Sequence, residues 1–72
     1  MDIGKQIGNN LKLARKSKGL TQKDAAQMLL MTQQQYSRFE NGVFELNYHQ
    51  ILKLCKIYDV TPNDIFDVNE EN

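Results

Sequence analysis

Apolar residues in the first quarter of the chain recur every three or four positions. Ile3, Ile7, Leu11 and Ala14 form one stripe, with Lys12, Arg15 and Lys16 mostly off it, and this period predicts a helix over about residues 3–17. Lys16 and Lys18 suit the negative end of that helix, and Gly19 is a natural stop. Thr21, with Asp24 three residues on, reads as an N-cap close to a capping box. Ala25, Ala26 and Leu29 then give a short apolar face, so a second helix is expected over about 22–29. Thr32 caps a third, over about 33–41, with Tyr36 and Phe39 on one side and Gln33, Gln34, Ser37 and Arg38 elsewhere. Asn41 and Gly42 both tolerate a left-handed backbone and end it. After a loop over 43–46, Asn47 caps a fourth helix, over about 47–58, whose apolar positions are Tyr48, Ile51, Leu52, Cys55 and Tyr58. Thr61 caps a short fifth, over about 62–67, with Pro62 in its first turn and Ile65 and Phe66 as anchors. No stretch alternates as a strand would, so the expected fold class is all-α. The polar residues 69–72 are expected to fray.

Composition narrows the function classes. At 72 residues the chain is one small domain, and 40% hydrophobic with 25% charged residues is ordinary for a folded soluble protein. The longest apolar run, Met28 to Met31, is far short of the roughly 20 residues a membrane span needs, and Met1-Asp2-Ile3-Gly4 lacks the layout of a signal peptide. A cytoplasmic location is expected. Cys55 has no partner for a disulfide or a metal site, and a buried core position is its simplest reading. One histidine, one cysteine and no nucleophile, metal-ligand or phosphate-loop pattern argue against an enzyme and against a cofactor, metal or small-molecule ligand. His49 and Met28 read as ordinary surface residues.

Charge changes the picture more. The formal net charge is zero, but residues 1–42 carry seven basic groups against three acids, and residues 43–72 carry two against six. The N-terminal half is therefore the face to which phosphates are drawn. Within it, the second and third helices are separated by only a few residues around Leu30 and Met31. Two short helices so joined cross steeply, as in a helix-turn-helix unit, whose second helix enters a major groove. The outward residues of that helix fit the task. Gln33 and Gln34 each offer a donor and an acceptor that pair bidentately with adenine, and Arg38 offers the fork that pairs with guanine. Gln22 opens the preceding helix, where backbone N–H groups suit a phosphate.

The run Leu20-Thr21-Gln22, Ala26, Leu29, Thr32-Gln33 and Ser37-Arg38-Phe39-Glu40-Asn41-Gly42, continuing through Ile51, Cys55, Tyr58-Asp59-Val60-Thr61 and Ile65-Phe66, resembles the Cro/repressor-type (XRE) helix-turn-helix family. The resemblance covers about residues 7–66. It implies a compact, lambda repressor-like bundle of five helices that binds operator DNA as a symmetric dimer. It also implies base contacts from Gln33, Gln34 and Arg38, and a base or phosphate contact from Ser37. Gln22, Lys23 and Asn41 fall to phosphate contact, with Gln22 also bracing Gln33. Arg15 and Glu40 match positions of a partly buried ion pair that ties the first helix to the third. Val43, Phe44 and Leu46 read either as cover for the core or, since the family often pairs through this loop and the last helix, as a dimer contact.

The chain departs from the family pattern in four places. Ala25 stands where leucine is usual, and Tyr36 and Phe39 stand where smaller aliphatics are usual, so volume lost from the second helix is refilled from the third. Leu30 replaces the usual turn glycine, at a strain of roughly 1–2 kcal/mol if that position needs a positive φ. Val43-Phe44-Glu45 stands where basic residues often contact phosphate, which favours weaker binding. The leading expectation is a sequence-specific DNA-binding regulator, a repressor on a pseudo-palindromic site of double-stranded DNA. The alternative is a protein-interaction module, an antitoxin or adaptor, on the same fold.

Overall fold

The computed structural model describes residues 2–68; the expected fraying of 69–72 lies outside them. Five helices follow in order: α1 (Ile3–Ser17), α2 (Gln22–Met28), α3 (Gln33–Glu40), α4 (Tyr48–Tyr58) and α5 (Pro62–Ile65). No strand occurs among the described residues, and no helix there is long and apolar enough to cross a membrane. Leu29, Asn41 and Asn47 are caps, and α5 stops at Ile65.

Each start is written into side chains. Asp2 accepts from the Lys5 N–H at α1. The other four helices open with reciprocal capping boxes: Thr21 with Asp24, Thr32 with Gln35, Asn47 with Gln50, and Thr61 with Asp64. Each box satisfies two N–H groups that the helix leaves unpaired. The first three stops share one geometry. After α1, Gly19 and Leu20 donate back to Lys16 and Arg15; after α2, Leu30 and Met31 donate to Gln27 and Ala26; after α3, Gly42 and Val43 donate to Phe39 and Arg38. This paired bond pattern requires a left-handed residue, supplied by Gly19 (φ 74°), Leu30 (φ 58°) and Gly42 (φ 73°).

Leu30 is the costly one of the three. A branched side chain in the left-handed region loses roughly 1–2 kcal/mol, and with 88% of its surface exposed Leu30 recovers little through burial. Leu30→Gly removes the strain while loosening the unfolded chain by about 0.5–1 kcal/mol. A net stabilisation of about 0.5–1 kcal/mol is expected, read as a rise in Tm of roughly 2–8 °C. An unchanged or lowered Tm would show that the turn is unstrained.

The core is a cluster of Leu11, Ala25, Ala26, Tyr36, Leu54, Cys55, Tyr58 and Ile65. Ala25 and Tyr36 are both fully buried in it, a small residue on α2 beside a large one on α3. Phe39 meets the Tyr36 ring edge-on, with centroids 6.4 Å apart. The phenol of Tyr36 finds its partner in Tyr58, the two hydroxyl oxygens lying 2.5 Å apart. Three sequence expectations need correction. On α4 Leu54 joins Cys55 and Tyr58 in the core, while Leu52 and Tyr48 are exposed: eleven residues carry apolar side chains on more than one face, and the pattern alone did not rank them. Phe66 follows the last turn of α5 and is about half exposed, leaving Ile65 as the anchor. Ile3, at the first turn of α1, lies at the rim of an apolar groove rather than in the core.

Two contacts hold α1 in place without leaving an apolar signal. Gly8 is buried directly against the backbone of Phe39 and Glu40. Asn10 donates its amide to the carbonyls of Ile65 (3.0 Å) and Asp67 (2.9 Å), closing the end of α5 onto α1.

Candidate nucleic-acid interface

Burial of Tyr36 and Glu40 sets the rotation of α3 about its axis. The opposite face is thereby presented outward: Gln33, Gln34 and Arg38 are exposed and Ser37 is half-buried between them. Gln35, the remaining glutamine of the first turn, is spent on the Thr32 cap. A shallow open depression is lined by Gln22, Gln33, Gln34, Ser37, Arg38 and Asn41, so the start of α2 and the outer face of α3 form one continuous polar surface. The Asn41 amide lies 3.4 Å from the Ser37 hydroxyl. Lys23 is exposed but does not line the depression.

Behind this surface, Glu40 collects donors from two other helices. Arg15 on α1 gives two bonds, Nε to Oε2 at 2.7 Å and Nη2 to Oε1 at 3.1 Å, and its Nη1 holds the Leu20 carbonyl at 2.8 Å. Gln22 on α2 donates to Oε1 at 3.0 Å. Gln22 therefore braces Glu40 in this structure, where its expected partner was Gln33; a buried carboxylate is the stronger acceptor. Burial alone would raise the Glu40 carboxyl, but the bonds from Arg15 and Gln22 outweigh it and hold the group below the usual range. Burial pushes Tyr58 up to about 12 and raises Tyr36 further, so both hydroxyls stay protonated as donors. No buried side-chain polar atom among the described residues lacks a partner.

The loop after α3 borders α1. Val43 and Phe44 are exposed and Leu46 is half-buried. All three line an apolar groove with residues of α1, including Ile3 and Ile7, and with Phe39. The Arg38 guanidinium lies over the Phe44 ring, 5.3 Å from its centre. The sequence reading did not find this contact, because nothing in the spacing of residues 38 and 44 reveals which way a left-handed turn folds the loop.

Two capped helices joined by a tight left-handed turn, with the second helix presenting its polar face, define a helix-turn-helix domain. A family profile described as helix-turn-helix matches residues 11–65, and the chain belongs to that family, of the Cro/repressor or XRE type. It is a family of DNA-binding regulatory domains rather than of enzymes. A search of the curated proteins finds no match.

Proposed function

We propose that this protein is a sequence-specific transcriptional regulator, a cytoplasmic repressor that seats α3 in the major groove of a pseudo-palindromic operator. The observation that carries the reading is that Gln22, Gln33, Gln34, Ser37, Arg38 and Asn41 share one polar depression in a family of DNA-binding domains. Gln33, Gln34 and Arg38 contact base edges, with Ser37 at a base or phosphate. Gln22 acts through its backbone N–H at the start of α2, since its side chain is engaged by Glu40. Lys23 and Asn41 add phosphate contacts that position the domain without reading sequence. A homodimer paired through Val43, Phe44 and Leu46 places two half-sites about 34 Å apart, one DNA turn.

The test is selection of bound sequences from a random DNA pool at about 50 mM salt, with Arg38→Ala and Lys23→Ala in parallel. The wild type is expected to enrich a motif with dyad symmetry. Arg38→Ala is expected to relax one base pair per half-site, costing about 1–3 kcal/mol there, while Lys23→Ala weakens all sequences alike. A wild type that enriches nothing sinks the proposal.

The apolar groove beside Val43 and Phe44 and the zero net charge favour a second reading, a protein-interaction module on the same fold. Under it, a stoichiometric partner co-purifies and protects α3, and no DNA motif emerges.

A further inference from the structure

Arg38 is the base-reading candidate with the longest and most flexible side chain, and the structure gives it a support. Its guanidinium carbon sits 5.3 Å from the centre of the Phe44 ring, inside the ~6 Å over which a cation is drawn to an aromatic face. Among the described residues no hydrogen bond engages that guanidinium, so its N–H edges are available. The ring is placed by the backbone of the residue it supports. The Val43 N–H donates to the Arg38 carbonyl at 2.9 Å, and the Phe44 N–H approaches the same oxygen at 3.4 Å. Gly42 turns the chain back at φ 73° while packed against the backbone of Gly4 and Lys5, which anchors the loop to α1 as well as to α3.

We propose that Phe44 is a positioning residue for sequence readout: its ring holds the flat face of the Arg38 guanidinium and aims the N–H edges at one base pair. The inference rests on the DNA-reading function proposed above. The two interactions are compatible because a guanidinium stacks through its face and hydrogen-bonds in its plane. A long side chain already held in place gives up less rotamer freedom when it binds. The paired O6 and N7 acceptors of guanine match the fork so presented, so the base pair governed by Phe44 is a G·C pair. Phe44 thus has a role separate from the dimer contact assigned to the loop: it sets the weight of one position in the operator.

The experiment is the same selection carried out with wild type, Arg38→Ala, Phe44→Leu, Phe44→Tyr and the double variant R38A/F44L. Arg38→Ala identifies the base pair that Arg38 reads. Phe44→Leu keeps an apolar side chain in the groove but removes the aromatic face. It is expected to weaken the preference at that base pair about two- to fivefold, the weight of an exposed cation–aromatic contact, over and above any uniform change in affinity that the dimer contact brings. Phe44→Tyr is expected to restore the preference, and Phe44→Leu to add nothing at that position once Arg38 is alanine. A preference untouched by Phe44→Leu, or an equal loss at every position, overturns the inference while leaving the DNA-reading function standing. A wild type that selects no motif overturns both.

Discussion

Glu40→Ala is expected to lose about 3–5 kcal/mol of folding free energy, the cost of breaking a buried ion pair from one side. Glu40 and Arg15 are 6% and 7% exposed, so removing the carboxylate leaves a guanidinium buried without its counter-charge. Gln22 loses an acceptor at the same time. A chain of this length holds only about 4–11 kcal/mol in total, at roughly 0.05–0.15 kcal/mol per residue, so the variant stands near the edge of folding. Urea denaturation followed by helical circular dichroism measures the loss. A change under about 1 kcal/mol would mean that Arg15 escapes to solvent and that the pair does not hold α1 to α3. The pH dependence has a definite sign. The folded Glu40 carboxyl lies below its usual range, so its contribution is present above the unfolded value of about 4.3 and is lost as pH falls through the depressed folded value. Glu40→Gln is therefore expected to flatten the acid limb of stability. Asp24 and Asp64 are also lowered, by the backbone N–H groups of Thr21 and Thr61, but neither is buried and both leave that limb mainly to Glu40.

What the sequence reveals of this fold is what local chemistry determines. Thr21, Thr32, Asn47 and Thr61 announce helix starts because a cap needs a short oxygen-bearing side chain, whatever lies around it. Gly19 and Gly42 announce stops for an equally local reason. The polar residues of α3 stand out because Tyr36 and Phe39 claim the other side of a short helix. What stays hidden is decided between elements. Leu52 and Leu54 are the same residue type two positions apart, and only the placement of the neighbouring helices selects Leu54 for the core. Gln22 chooses Glu40 over Gln33 because the Arg15–Glu40 cluster sits within its reach, a distance no spacing along the chain encodes. The Arg38–Phe44 contact depends on the path of the Gly42 turn. Asn10 gives no pattern either, since an amide on the first helix looks like any solvated side chain until its two carbonyl partners at the end of α5 are in place.

Gly8 is the extreme case, a residue whose contribution is the absence of a side chain. A Cβ built there would lie 2.2 Å from the Glu40 carbonyl oxygen, 2.7 Å from the Glu40 carbonyl carbon and 2.8 Å from the Phe39 carbonyl oxygen. All three are backbone atoms at the end of α3, so no rotamer change relieves the clash and α1 must move away as a unit. Two effects oppose each other in Gly8→Ala. Alanine favours the helix by about 0.8–1.0 kcal/mol, while overpacking costs typically 1–3 kcal/mol, at the upper end where nothing nearby yields. The clash wins, and a net loss of about 2 kcal/mol is expected. Gly4→Ala is the internal control: its nearest obstacle is the Gly42 carbonyl oxygen at 3.1 Å, a contact that a small shift absorbs, so the same propensity gain leaves it near neutral. Denaturation midpoints of the two variants check the contrast. Equal stability for both would mean that the α1 and α3 backbones are not in contact. The displacement that accommodates a Cβ at position 8 also draws Arg15 away from Glu40, because both lie on the α1–α3 seam. Gly8→Ala and Glu40→Ala are therefore expected to be less than additive in combination, since each removes part of what the other depends on.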